Sequence, residues 1–178
     1  MTKSDMPLLV LVHGPPGSGK TTVARALADE LGLPLFAKDA VKEALYESLG
    51  TGDAEWSRRL GGAAYELLFL AAEVALAAGA SLVLEGNFVV GAAEPRLAAL
   101  PRHRAVQLYC DAPEEVLVER YLSRERHPGH LDRERLDEVR ANMRAGRHRP
   151  LALAGTLLQV DTTDAVDTAA LASSIRRG

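Results

Sequence analysis

The sequence predicts a three-layer α/β/α fold, a parallel β-sheet with helices on both faces, on three observations. Short apolar runs of buried-strand type recur at residues 8–12, 34–37, 81–84, 105–110 and 156–160. Segments with helical spacing of apolar residues separate them, and strands alternating with helices build parallel sheets. The first run leads into Gly14-Pro15-Pro16-Gly17-Ser18-Gly19-Lys20-Thr21, which fits G-x-x-x-x-G-K-[ST] at each defined position and precedes a helical stretch.

That strand, glycine loop and helix form the context in which a P-loop works. Glycines let backbone N–H groups turn inward around a polyphosphate, and the helix that follows points its positive N-terminus at the same anion. Lys20 is placed to reach the β- and γ-phosphates and the Thr21 hydroxyl to hold Mg²⁺. The expected ATP site therefore comprises Gly14, Pro15, Pro16, Gly17, Ser18, Gly19, Lys20, Thr21 and Thr22.

The first helix, from Thr22 to Leu31, should stop at Gly32, with Pro34 just beyond. The second strand delivers Lys38 and Asp39 at its end. A helix follows with Val41, Ala44, Leu45 and Leu49 as its stripe, and Gly50-Thr51-Gly52-Asp53 breaks it. Residues 56–78 read as one long helix with Leu60, Ala64, Leu67, Leu68, Ala71, Val74 and Ala78 on one face, and Gly61-Gly62 is a point for a bend or split. The third strand ends in Glu85-Gly86-Asn87-Phe88. After a short helix over 94–100 and the fourth strand, Asp111 and Glu114 are spaced like a capping box, with Pro113 in the first turn of a helix running to about Arg126. His127-Pro128-Gly129-His130 reads as a turn. Leu136, Val139 and Met143 mark another amphipathic helix, the fifth strand leads to Asp161-Thr162-Thr163, and a last helix ends in Arg176-Arg177.

A chain of 178 residues with 47% apolar residues suits one domain over 1–178. Its formal charge of −3 gives no general attraction to nucleic acid or to an anionic membrane. Cys110 is the single cysteine, so no internal disulfide forms and a reducing, cytoplasmic setting is expected. Residues 1–6 lack the apolar core of a signal peptide. The most apolar stretch, 67–84, is interrupted by Glu73, Gly79 and Ser81 and is a poor membrane span. No oligomeric state is assigned.

Ligands of such a sheet sit at the carboxyl ends of its strands. Asp39 there either takes a proton from an attacking hydroxyl or caps its helix. Lys42, one turn on, either places an anionic group or is solvated. Glu85 serves a metal-bound water, the acceptor hydroxyl, or neither, and Asn87 is near enough to bond the acceptor. Arg120 and Arg124 are four apart on a helix and share a face, so with Arg126 they are candidates to clamp phosphates. His127 and His130 lack a full metal ligand set and read as turn residues, and the arginines from Arg133 to Arg149 read as mostly solvated.

The glycine loop, Lys38-Asp39-x-x-Lys42, Leu84-Glu85-Gly86-Asn87, the arginine-bearing stretch from Arg120 to His130 and Val160-Asp161-Thr162-Thr163 together make the chain resemble the P-loop kinase-like phosphotransferases related to adenylate kinase. Nearer likenesses are the small kinases of AAA type, zeta-toxin kinases, chloramphenicol phosphotransferase and the kinase domain of phage polynucleotide kinase. The resemblance implies a P-loop NTPase fold with sheet order 2-3-1-4-5 and a lid over about 124–134. It implies Asp39 as the acceptor-activating aspartate, Arg124 or Arg126 on the γ-phosphate, Arg120 near the base, and Asp161, Thr162 and Thr163 by the adenine. Glu85 stands where the family usually has Asp, so the metal shell departs from its pattern. No Asn-Lys-x-Asp motif for guanine is present.

The implied activity uses ATP and Mg²⁺ to move a γ-phosphate to a hydroxyl of a small-molecule acceptor, a nucleoside, sugar or antibiotic-like compound. The acceptor pocket would draw on Asp39, Lys42, residues 56–65 and residues 85–88. One alternative is a 5′-polynucleotide kinase, against which stand the acidic balance and aromatics of only 4%. Another is a non-catalytic nucleotide-binding module of regulatory or toxin-like type.

Overall fold

Parallel strands need long crossovers, and helices supply them here. The computed structural model describes residues 6–177; the leader expectation for 1–6 lies almost wholly outside them. Strand β1 (Leu8–His13) is central and pairs in parallel with β3 (Leu82–Gly86) and β4 (Arg104–Asp111). Strand β2 (Leu35–Ala37) adds to β3 and β5 (Thr156–Asp161) to β4, so the order is the expected β2-β3-β1-β4-β5.

Successive residues of β1 face opposite layers. Val10 and Val12 pack with Val23 and Leu27 of α1 (Lys20–Leu31) and with Ala172 and Ile175 of α7 (Thr168–Arg177). Leu9 and Leu11 pack with Leu68, Ala72 and Leu76 of α3 (Ala54–Ala77) and Leu97 of α4 (Ala93–Ala98). Coverage of both faces explains why β1 is apolar throughout rather than alternating. The remaining helices are α2 (Lys38–Leu49), α5 (Glu114–Ser123) and α6 (Leu136–Arg144). Gly32 ends α1 as expected, in the left-handed region at φ 67°, donating its N–H to the carbonyls of Ala28 and Asp29.

In α2 the stripe expected at Val41, Ala44, Leu45 and Leu49 is not the buried face: Lys38, Lys42 and Tyr46 are buried, because Lys42 and Tyr46 bond Ser57 and the Gly129 turn, while Ala44 is exposed and Leu49 is 58% exposed. Two further helices differ from their sequence reading. α3 runs unbroken through Gly61-Gly62, started by Asp53, whose Oδ1 accepts the Trp56 N–H at 2.8 Å. Its buried face holds Leu60, Ala64, Leu68, Phe69, Ala72 and Leu76, whereas Leu67 and Val74, expected on that face, are 44% and 62% exposed. Among the described residues it is the one helix long and apolar enough to cross a membrane by length and composition, and here its inner face lies against the sheet. The other is α5. Asp111 is the last residue of β4 and its Oδ1 accepts the N–H of Ala112 at 3.0 Å, so it forms no capping box; Pro113 is the N-cap. α5 ends at Ser123, and Arg124 is extended at φ −69°, ψ 135°.

The two α3 faces make a direct test. Leu68→Ala, at a fully buried position, should lower unfolding free energy by about 2–5 kcal/mol. Val74→Ala should change it by no more than about 0.5 kcal/mol. Urea unfolding of both variants decides the register.

Candidate active site

The glycine loop is built by close approach. A Cβ on Gly14 would stand 2.0 Å from the carbonyl oxygen of Cys110, and one on Gly17 would stand 2.2 Å from that of Leu117, so neither position admits a side chain. Thr162 ties the loop to the strand ends: its hydroxyl lies 3.0 Å from the carbonyl oxygens of both Ser18 and Asp111, and its N–H donates to Asp111 at 2.9 Å. Lys20 is buried and folds back so that Nζ donates to the Pro15 carbonyl at 3.2 Å. Burial pulls its pKa down, against the pull of Glu85 and Asp39.

Two buried polar atoms beside this loop, Ser18 Oγ and Glu85 Oε2, have no protein partner. Buried polar groups ordinarily have partners, so these fit a place where a polyphosphate and its cation bind. Glu85 is 2% exposed, not a surface carboxylate. Burial pushes its pKa up, opposed chiefly by Lys20 and also by Lys38 and the Thr21 hydroxyl. Thr22 is exposed on the first turn of α1.

Asp39 does not cap α2. The N-cap is Ala37, and Asp39 stands in the first turn with its carboxylate turned to Lys38 Nζ at 3.0 Å and Arg126 Nη1 at 3.2 Å. Burial opposes its ionisation, but Lys38, Arg126, His130 and Lys20 outweigh that and hold the carboxyl far below the usual range.

The segment after α5 folds back onto α2. Arg124 Nε donates to Asp132 Oδ2 at 3.2 Å, and Arg126 Nε is 3.5 Å from the same oxygen. Arg126 also donates to His130 Nδ1. Burial, then Arg126, pushes the His130 pKa down to about 2, so the ring is neutral. Because arginine only donates, Nδ1 is the acceptor and Nε2–H donates to Glu43 Oε1 at 3.0 Å.

The turn itself, a 3₁₀ turn over Pro128–His130, sits on Tyr46. The hydroxyls of Tyr46 and Ser57 reach the Gly129 carbonyl oxygen at 2.5 and 3.0 Å, and the Tyr46 ring stacks on His127 at 4.9 Å. Lys42 Nζ donates to Ser57 Oγ at 2.9 Å. His127 and His130 thus anchor this turn on α2 and are more than turn residues.

Arg120 and Arg124 do not clamp one ligand together, because the helix stops between them. Arg120 Nη2 donates to the carbonyls of Thr162 and Thr163 at 3.0 and 3.1 Å, and Asp161 Oδ1 accepts the Thr163 N–H at 2.8 Å. Arg120, Asp161, Thr162 and Thr163 therefore gather at the carboxyl end of β5, while Arg124 bonds Asp132.

Six cations, Lys20, Lys38, Lys42, Arg124, Arg126 and Arg135, line a cavity of about 60 Å³ with Asp39, Asp132 and Asn87. Lys42 is 1% exposed, so it is not a solvated lysine. Asn87 Oδ1 accepts the Tyr65 hydroxyl at 2.9 Å. Trp56 stands apart, its indole N–H on the Gly50 carbonyl, and Phe88 belongs to the apolar core. Sequence reading missed Asp132 and Tyr46, included Ser57 only within residues 56–65, and gave Lys38 only as part of a motif, with no role. The Lys38-Asp39 adjacency was a usable signal; the others depend on contacts between remote segments.

The chain from residue 9 to 146 matches the family model described as an AAA domain. An uncharacterized protein of Mycobacterium bovis is 31% identical over 126 residues, 65% of this chain and 25% of that protein, so the chain spans about a quarter of this relative. A shikimate kinase of Salinispora arenicola is 41% identical over 116 residues, covering 62% of this chain and 64% of the enzyme. A crystal structure from Chloroflexus aurantiacus, provisionally described as a kinase, superposes with a TM-score of 0.86 at 39% identity, covering 97% of this chain and 98% of that one.

Lys42 supplies a pH test of the cavity. Burial, with Lys38 and Arg135 adding to it, lowers its pKa from the ordinary 10.5 to about 7. Between those values the unfolded chain binds more protons, so stability rises with pH across that window and the penalty is full below pH 7. Lys42→Met should therefore be more stable than wild type at pH 6, by on the order of a few kcal/mol. The advantage should shrink as pH climbs towards 10 in chemical unfolding measured at several pH values.

Proposed function

The chain belongs to the AAA domain family, and from that premise we propose that it is an ATP-dependent phosphotransferase moving the γ-phosphate to a hydroxyl of a small acceptor. Its kinase-like P-loop fold and its kinase relatives support a small-molecule kinase in general. One observation carries the finer reading: Asp39 shares a cavity with Lys20 of the glycine loop and with the lid arginines Arg124 and Arg126. The acidic balance of the chain and its 4% aromatic content favour a nucleoside, sugar or antibiotic-like acceptor over a polynucleotide strand.

In this reading the loop from Gly14 to Thr22 and Lys20 hold the triphosphate of ATP, and Arg120 with Asp161, Thr162 and Thr163 holds the base. Thr21 and Glu85, the latter through water, are the residues that would hold Mg²⁺, which when bound neutralises charge on the β- and γ-phosphates. Asp39 and Asn87 orient the acceptor hydroxyl. Asp39 is a weak base as it stands, held ionised by Lys38 and Arg126. That suits phosphoryl transfer through a loose transition state, in which the hydroxyl proton leaves late and alignment matters more than base strength. Arg124 and Arg126 meet the negative charge on the transferring group.

Incubation with labelled ATP, Mg²⁺ and a panel of sugars, nucleosides, aminoglycosides and 5′-hydroxyl oligonucleotides should label a small acceptor. Transfer to the oligonucleotide alone would overturn the acceptor class. Asp39→Asn should lower kcat by about 10²–10⁴ while nucleotide affinity holds; near-normal turnover would remove Asp39 from the mechanism. Lys20→Ala should weaken both nucleotide binding and transfer.

A further inference from the structure

We propose that the acceptor carries an anionic group, a carboxylate or a phosphate ester, and that Lys42 binds it. The inference rests on the phosphotransferase reading and concerns the acceptor side of the same cavity. It follows from asking which cation lining the cavity has a carboxylate of its own. Lys38 pairs with Asp39 at 3.0 Å, Arg126 with Asp39 at 3.2 Å, and Arg124 with Asp132 at 3.2 Å. Arg135 pairs with Glu138 at 3.2 Å, and the nearest carboxylates acting on Lys20 are Glu85 and Asp39.

Like Lys20, Lys42 makes no ion pair among the described residues, and Asp39 acts on it only from further off; unlike Lys20 it does not belong to the glycine loop, so no nucleotide phosphate is due to it. Its ammonium donates one hydrogen bond, to the neutral Ser57 hydroxyl, and lies 5.2 Å from the centre of the Tyr46 ring. A lysine ammonium has three N–H donors, so two remain for a ligand. The side chain is 1% exposed, and water does not solvate it as it would a surface lysine. Burying a charge without a counter-ion is among the least favourable arrangements available to a fold. A cavity that keeps such a charge is shaped for an anion that arrives with the substrate.

The phosphates of ATP are not that anion. The groups acting on Lys20 are Glu85, Asp39 and Arg124, while those acting on Lys42 are Lys38, Arg135, Asp39 and Arg126. Lys20 opens α1 and bonds the Pro15 carbonyl of the glycine loop, while Lys42 stands on α2 and bonds Ser57 of α3, so the phosphates of the nucleotide fall to Lys20 and Lys42 is left for the acceptor. Lys42 is also three residues from Asp39 on α2, a spacing that sets the two side chains about 5–6 Å apart at Cβ. The acceptor hydroxyl and its anionic group are then separated by a few bonds, as in a hydroxy acid, a sugar acid or a sugar phosphate. A neutral polyol of the same shape leaves Lys42 without a counter-ion, and that is the source of discrimination.

The groups facing Lys42 also dictate a proton signature. Lys38, Asp39 and Tyr46 from α2, Ser57 from α3, Arg126 and His130 from the lid, and Arg135 beside it surround the ammonium, with cations in excess. An anion beside Lys42 favours the charged form, so binding near neutral pH takes up protons.

The test uses the intact protein loaded with ADP and Mg²⁺, so that the glycine loop is occupied. Calorimetry then measures binding of gluconate and glucose 6-phosphate against their neutral counterparts sorbitol and glucose. At least one anion should bind about tenfold or more tightly than its counterpart, with proton uptake seen from two buffers of different ionisation enthalpy; which one binds tells carboxylate from phosphate ester. Lys42→Gln should weaken that anion about ten- to a hundredfold with ADP affinity unchanged, and Lys42→Arg should restore most of it. Anions binding no better than neutral counterparts in wild type, or equally well in Lys42→Gln with its melting point at or above that of wild type, would overturn the proposal. Lys42-dependent anion binding without phosphate transfer from ATP to any acceptor keeps the subsite and removes the kinase reading. Transfer to a neutral acceptor, equally efficient in wild type and Lys42→Gln, does the reverse.

Discussion

Mutual repulsion of cations is the constraint around which the carboxyl end of this sheet is arranged. Two like charges 4 Å apart repel by about 4 kcal/mol at the effective dielectric of a protein surface, and six cationic side chains line one small cavity here. Asp39 and Asp132 make that tolerable. Asp39 lies between Lys38 and Arg126, and Asp132 draws Arg124 and Arg126 to one oxygen. The same pairing sets the basicity of the carboxylate: so surrounded, Asp39 holds a proton weakly.

The parallel sheet produces this convergence because its strands all end on one side. β1 leads into the glycine loop, β2 into Lys38 and Asp39, and β3 carries Glu85 to the rim. The segment over 124–132 completes the cavity from a different part of the chain. It is seated by the hydroxyls of Tyr46 and Ser57 on one carbonyl oxygen, that of Gly129, and a Cβ at Gly129 would stand 2.9 Å from the Tyr46 ring. The missing side chain at Gly129 thus sets how deeply Arg124 and Arg126 reach.

Sequence reading reached what local pattern decides. Five apolar runs became five strands, the glycine loop stands between β1 and α1, and the strand order that resemblance implied is the order found. It placed Leu60, Ala64 and Leu68 correctly on the buried face of α3 but widened that face to Leu67 and Val74, because Leu and Ala occur all round the helix. It ran α5 on to Arg126 because Arg124, Glu125 and Arg126 are all good helix formers, whereas in the fold Arg124 and Arg126 lie against Asp132, a contact that local pattern does not show. The burial of Lys42 was equally hidden. It depends on Ser57 and on Gly129, which lies 72 residues from Ser57 in the chain.

Thr162 bonds the carbonyls of Ser18 and Asp111 through one hydroxyl, joining the far edge of the sheet to the loop at its centre. The loop backbone is thereby ordered when the domain folds rather than when a nucleotide arrives. Most of the conformational entropy that a free glycine-rich segment would lose on meeting a polyphosphate is already gone. Nucleotide affinity in such a loop is governed from a position in the last third of the chain, and weakening that distant clasp would be felt first as a slower, less favourable capture of phosphate.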